Sequence, residues 1–247
     1  MRVLLLLCLA LPVFSENIDS HVVGGSNANI ANYPHQLSLR VSGSHSCGAS
    51  LVSTTKAVTA AHCGGSAISV YSILGGTTSR TDTTCSTCVT RNLSQFNRHA
   101  SFVNNGNQGY PNDVATLHFS AVTTNSNLRT IAMAASSAGD YAGQSCVITG
   151  WGRTSATSSL PVTLQQGTMT VLTNSNCASR WSAAQINNGH ICVSSSSVSA
   201  CSGDSGGPLV CGSTLVGATS WGQAQCNPSY PSVYTRISYF RSWIDSH

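Results

Sequence analysis

Charge is the scarcest property of this 247-residue chain, with only 7% of residues being Asp, Glu, Lys or Arg, where about 25% is usual. Its surface must be built mostly from Ser, Thr, Asn, Gln and Gly, which suits an extracellular protein. The eleven Lys and Arg leave a net charge of +4 and are scattered. They form no basic stripe for nucleic acid, and there is no acidic tail. Heptads, repeats and low-complexity linkers are also missing. No apolar run is long enough to span a bilayer, so neither nucleic acid nor membrane is expected as a partner. What is plentiful is core material: 41% hydrophobic content argues against disorder.

The N-terminus reads as a targeting segment. Met1-Arg2 is a short positive start, and Val3 to Val13 is nearly all apolar. Val13 and Ser15 fit the small-residue pattern before a signal-peptidase cut, so residues 1–15 are expected to leave as a signal peptide. Cys8 leaves with it. Ten of the eleven cysteines remain: Cys47, Cys63, Cys85, Cys88, Cys146, Cys177, Cys192, Cys201, Cys211 and Cys226. An even count in an exported chain reads as a disulfide framework. Five bridges among ten cysteines allow about 945 pairings, and composition does not choose among them.

Short apolar runs recur along the chain, separated by Gly, Ser, Asn and Pro. Examples are Gln36 to Val41, Ser50 to Thr54, Ala67 to Leu74, Val114 to Phe119, Cys146 to Thr149, Gly167 to Leu172, Pro208 to Cys211, Leu215 to Ser220 and Ser232 to Ile237. This is the spacing of an all-β barrel or sandwich. Helical signals are few. Asn174 or Ser175 could cap a turn or two through Trp181. Ile237, Phe240, Trp243 and Ile244 fall on one face of a short C-terminal helix.

Three segments carry chemistry. In Gly203-Asp204-Ser205-Gly206-Gly207-Pro208, a serine flanked by glycines lets backbone approach a substrate and lets N–H groups point at an oxyanion. Taken alone it could equally be a Gly-Ser-Gly turn. In Thr59-Ala60-Ala61-His62-Cys63, small residues leave room around an imidazole. A His beside a Cys can also be structural or a metal ligand. In Asn112-Asp113-Val114-Ala115-Thr116-Leu117, a carboxylate opens an apolar run, where burial demands partners; the alternative is a strand-start cap. Among the competing histidines, His21, His35, His99, His190 and His247 read as solvated or loop residues. Together, Ser205, His62 and Asp113 supply the nucleophile, base and orienting acid that serine catalysis needs.

These segments, with Val22-Val23-Gly24-Gly25, Gly150-Trp151-Gly152 and Ser220-Trp221-Gly222, occur in an order that resembles the chymotrypsin/trypsin family of serine proteases from Val22 to the chain end. The resemblance implies an all-β fold of two packed six-stranded antiparallel β-barrels with a short C-terminal helix. Barrel one would cover about 22–130, barrel two about 131–235 and the helix about 236–246. It implies a secreted serine endopeptidase with His62, Asp113 and Ser205 as catalytic residues. Gly203 and Ser205 would form the oxyanion hole. Ser220 would bond Asp113, and the Ser220, Trp221 and Gly222 backbone would pair with substrate as an added strand. It also implies the bridges Cys47–Cys63, Cys146–Cys211, Cys177–Cys192 and Cys201–Cys226. Cys85 and Cys88 are left to pair locally, with a redox or metal role as the alternative.

The resemblance further places Ser199 at the base of the side-chain pocket, where trypsin-like enzymes carry Asp. Ser232, at another neutral position, narrows the pocket, and Gly222 leaves one wall open. Cleavage after Phe, Tyr, Leu or Met is expected, with an elastase-like or broad specificity as the alternative. A zymogen is implied too. Residues 16–21 would be a propeptide, and the freed amine of Val22 would pair with Asp204. Before cleavage, His45 and Ser38 would hold Asp204. The loop Gly75 to Thr87 contains one acid, Asp82, so no calcium, no other metal and no cofactor are expected. Asn92-Leu93-Ser94 is a glycosylation sequon. Protein or peptide substrates and protein protease inhibitors are the implied partners, and a monomer is expected. The rivals are a protease-like binding protein without catalysis and an esterase. The intact His, Asp and Ser segments argue against the first. Their order argues against the second, since α/β-hydrolases run Ser, Asp, His.

Overall fold

A computed structural model describes residues 22–247. The expected signal peptide (1–15) and propeptide (16–21) lie outside the described residues.

A two-residue strand, β1 (Ser26–Asn27), comes first. Six strands follow: β2 (Gln36–Val41), β3 (Ser44–Ser53), β4 (Lys56–Thr59), β5 (Tyr71–Gly75), β6 (Val89–Arg98) and β7 (Ala115–Phe119). They close into a barrel in the order β2-β3-β4-β7-β6-β5. After β8 (Ala132–Met133), a second set begins: β9 (Ser145–Gly150), β10 (Gln165–Leu172), β11 (His190–Ser194), β12 (Pro208–Cys211), β13 (Thr214–Trp221) and β14 (Ser232–Arg236). These run β10-β11-β14-β13-β12-β9, and antiparallel pairing of β9 with β10 closes the second barrel.

Period-two patterning explains both barrels. In β2, Leu37 and Leu39 enter a core with Leu51, Ile73, Leu93, Leu117 and Phe119. In β10, Met169 and Val171 are buried while Thr168 and Thr170 face out, as a half-buried strand requires. A third cluster joins Val58 and Val114 to Leu215, Ala218 and the Ile237, Phe240 and Ile244 face of the C-terminal helix α2 (Ile237–Ser246). It ties residues of both barrels together. Each such side chain contributes roughly 1.5–3 kcal/mol by leaving water.

Several expectations are corrected. Residues 22–27 belong with the second barrel: Ser26 and Asn27 pair with Gln166 and Gln165 of β10, and Val22 is buried in that barrel's core. Helix α1 (Asn174–Arg180) is capped by Thr173, whose hydroxyl accepts from the Asn176 N–H at 3.2 Å. His35 and His190 are buried, and burial lowers both to about 4.

Disulfides join Cys47–Cys63, Cys85–Cys88, Cys146–Cys211, Cys177–Cys192 and Cys201–Cys226. Two groupings have metal-like spacing: Cys47, His62 and Cys63, and Asp82, Cys85 and Cys88. Their sulfurs are spent in disulfides, and thiolate is the form that binds metal. No helix among the described residues is long and apolar enough to cross a membrane.

Candidate active site

His62 sits in a 3-10 turn, Ala61–Cys63, directly after β4. Buried Ala60 and Ala61 before it and the Cys47–Cys63 bridge after it fix the turn. Asp113 lies two residues before the start of β7, which pairs with β4. The strand pairing therefore brings the two residues together. Asp113 Oδ1 accepts from the His62 backbone N–H at 2.8 Å, and Oδ2 lies 2.7 Å from His62 Nδ1. The same Oδ2 accepts from Ser220 Oγ at 2.6 Å, and the Asp113 carbonyl accepts from Thr235 Oγ1 at 2.5 Å. The carboxylate is 1% exposed, so these bonds satisfy what burial would otherwise leave unpaired. A carboxylate bonded to Nδ1–H presents Nε2 of the imidazole as the basic nitrogen. Thr235 is a contact that the sequence does not announce.

Ser205 lies on the Cys201–Gly207 loop between β11 and β12. Its carbonyl accepts from the Gly48 N–H at 2.8 Å. Gly48 follows Cys47, whose disulfide partner follows His62, so this bond holds the serine loop near the imidazole. No hydrogen bond joins Ser205 to His62 in this structure. The two sides of the cleft meet at Ser220, which bonds Asp113 and lines one cavity with Ser205 and an adjoining one with His62. The Asp204 N–H donates to Cys201 O, while the Gly203 and Ser205 N–H groups flanking it have no acceptor among the described residues. Gly203 has φ +101°, and Gly206, at φ +74°, would place a Cβ 2.0 Å from Thr59 Oγ1. Only glycine takes these positions without strain.

Asp204 is buried, and no cation among the described residues pairs with it. Its Oδ1 accepts from the Gly152 N–H at 2.8 Å and its Oδ2 from the Cys201 N–H at 3.0 Å. A Cβ on Gly150 or Gly152 would fall 2.1 or 2.3 Å from the carboxylate, so those two glycines make the slot it occupies. Burial pushes Asp204 up to about 6, against the pull of the two N–H groups. His45 and Ser38, expected to hold Asp204 before cleavage, make no hydrogen bond to it. Ser38 Oγ bonds His45 Nδ1 at 2.8 Å, and His45 Nε2 lies 3.0 Å from the Gly203 carbonyl. The carboxylate's hydrogen bonds go instead to the Gly152 and Cys201 N–H groups. Val23 pairs with Ser199 through a 3.1 Å backbone bond, which seats Val22 in the second barrel.

A cavity of about 210 Å³ opens beside Ser205. Its walls are Ala200–Ser202, Thr219–Ala224 and the Cys201–Cys226 bridge. None of its lining residues is charged. Gly222 leaves it open, with nothing nearer than Ser232 Cα at 4.0 Å from an added Cβ. Ser199, expected at the pocket base, and Ser232, expected to narrow the pocket, are buried next to lining residues Ala200 and Gly222, with hydroxyls 3.3 Å apart. Trp221 is shared with a second cavity lined by His62, Asn104 and Tyr110.

Two packed barrels with an Asp–His pair on one, and a serine beside unpaired N–H groups on the other, define the class: a serine endopeptidase. The chain belongs to the trypsin family, whose model, described as Trypsin, matches residues 22–244. It is 42% identical to the "Chymotrypsin-like serine proteinase" of Haliotis rufescens, over 98% of this chain and 97% of that protein. It is 41% identical to "Fibrinolytic enzyme, isozyme C" of Lumbricus rubellus, over 90% and 98%, and 38% identical to "Trypsin alpha" of Drosophila melanogaster, over 93% and 88%. Its substrates are accordingly proteins or peptides.

Proposed function

We propose that the chain is a secreted endopeptidase made as a zymogen, cleaving after Phe, Tyr, Leu or Met with Ser205 as nucleophile. His62 Nε2 takes the serine proton as Oγ attacks the scissile carbonyl, then gives it to the leaving amine. Asp113 holds the tautomer and faces the imidazolium that forms. The Gly203 and Ser205 N–H groups receive the oxyanion. Water then resolves the acyl-enzyme by the same proton path. The observation that carries this mechanism is the Asp113 carboxylate, buried and bonded by the His62 backbone N–H, the His62 ring and the Ser220 hydroxyl.

The side-chain preference rests on the uncharged cavity. An Arg or Lys entering it would be buried without a counter-ion, which costs several kcal/mol. A large apolar side chain gains about 1.5–3 kcal/mol by the same burial. Activation rests on Asp204. Cleavage after His21 would free the Val22 amine, which can supply the cation that Asp204 lacks and stabilise the Gly203–Ser205 loop. A monomeric enzyme open to protein protease inhibitors is consistent with this cleft.

The test is digestion of a peptide library with protein cleaved to a Val22 N-terminus. Cuts after large apolar residues are expected, and cuts chiefly after Arg or Lys would overturn the preference. Precursor with an intact His21–Val22 bond should be nearly inactive, and full activity there would refute activation by cleavage.

A further inference from the structure

We propose that Arg40 and Arg80 form a cationic subsite for an acidic side chain on the leaving-group side of the scissile bond. The site rests on the catalytic reading of Ser205. On β2, Leu37 and Leu39 enter the barrel core, so Arg40 stands on the outer face beside Ser38. Across the ladder, after a bulge, its partner is His45, and directly opposed side chains start about 5 Å apart. His45 in turn bonds the Gly203 carbonyl. Arg80 approaches the same glycine from the other side. Its Nε and Nη2 donate to the carbonyls of Pro161 and Leu160 at 2.8 and 3.1 Å. The Leu160 side chain lies 2.8 Å from where a Gly203 Cβ would be. Each arginine is thus linked to the oxyanion loop through one residue, Arg40 through His45 and Arg80 through Leu160.

Neither has an acid. Arg40 Nε is buried with no partner among the described residues. The only Arg–carboxylate pair among those residues is Arg241–Asp245. Burial, and after it the Arg80 charge, lowers the Arg40 pKa, and burial also leads the lowering of His45, to which both arginine charges add. An unpaired, partly desolvated guanidinium beside a second one is a poor arrangement unless an anion joins them.

The polarity of the cleft says which anion. The acyl half of a substrate fills the cavity at Ser202–Gly222, so the leaving half runs the other way from Ser205, over β3 at the exposed Ser46 that adjoins buried His45. An extended chain advances about 3.3–3.6 Å per residue. His45 and one cross-strand step beyond Gly203 put the guanidinium within reach of the second or third residue after the cut. An Asp or Glu there meets both arginines.

The test uses quenched peptides with one fixed Leu before the cut and Asp, Asn or Lys at the second and third positions after it. A chromogenic anilide, which has no such residues, reads the catalytic centre alone. Two partly exposed ion pairs predict kcat/KM about three- to tenfold higher for Asp than for Lys at low salt. The ratio should fall towards one in 1 M salt, where the screening length is about 3 Å, and in an Arg40→Gln/Arg80→Gln variant. Arg40→Glu should invert it. Because each ratio is taken within one protein, folding yield cancels. An Asp-to-Lys ratio near one in an enzyme that cleaves the anilide overturns the subsite while sparing the mechanism. An activated enzyme that cleaves neither removes both.

Discussion

At the scale of single residues, buried titratable groups set how the protein answers pH. Asp204 has its carboxyl pushed up to about 6 by burial. Folding then favours its protonated form, so its contribution is present at low pH and is lost as pH rises from about 4 through 6. His35, His45 and His190 are lowered by burial to about 4. They are neutral when folded and protonated when unfolded between about 4 and 6.5. Their contribution is complete above that window and is lost as pH falls through it. Each shift is worth on the order of 3 kcal/mol at most, and three histidines outweigh one carboxylate. Precursor carrying Ser205→Ala should thus lose stability between pH 6.5 and 4, and adding Asp204→Asn should steepen the loss. Denaturant midpoints across this range check it. Equal midpoints at both ends, or an unchanged slope in the Asn variant, would contradict the assignment. His35 and His190 read as exposed in the sequence because burial of a lone polar side chain leaves no periodic signature. His45 and Asp204 stand where their segments suggest, but their bonds depend on loop geometry that local sequence does not carry.

Among elements, the strongest constraints come from close approach and packing. Gly152 exists to admit the Asp204 carboxylate. Gly152→Ala should displace it, lose most activity and cost several kcal/mol, since a Cβ at 2.3 Å must push a buried charge from its N–H donors. Near-wild-type kcat/KM in that variant would show the slot to be loose. On α2, Phe240→Ala empties the seam between the barrels and should cost about 3–5 kcal/mol, read as a shift in denaturant midpoint. A shift under 1 kcal/mol would mean that the seam collapses without loss. β2, where polar and apolar residues alternate through Gln-Leu-Ser-Leu-Arg, and β12, a short apolar run between Gly207 and Gly212, are legible in the sequence to the residue. β6 is not: in Val-Thr-Arg-Asn-Leu-Ser-Gln-Phe-Asn-Arg only Leu93 is buried, and it is a strand because β5 and β7 need its backbone to close the barrel. The α1 cap falls on Thr173, one residue before the expected Asn174, because cap residues cluster there and only the fold chooses among them.

For the whole molecule, cross-links do what ion pairs cannot in so charge-poor a chain. Loop-closure entropy grows with the span that a bridge closes. Cys146–Cys211 spans 65 residues and Cys85–Cys88 spans 3. Replacing the first pair by Ser should cost about 4 kcal/mol and the second about 2 kcal/mol or less. Equal losses would show that strain or local packing, not chain entropy, decides. The two-barrel architecture was legible from the ordered segments around His62, Asp113 and Ser205. The bond between the Ser199 and Ser232 hydroxyls beside the cavity was not legible, because the residues are 33 apart in sequence and only the fold brings them together.

The central claim is that Ser205 is the nucleophile served by His62 and Asp113. The most direct test is kcat/KM on a peptide with Leu or Phe before the cut, for enzyme and Ser205→Ala alike, both trimmed to Val22. The variant should fall to the residual rate of about 10³–10⁴-fold over uncatalysed hydrolysis that oxyanion stabilisation and binding alone supply. Amidase activity within tenfold of the parent enzyme would contradict the mechanism.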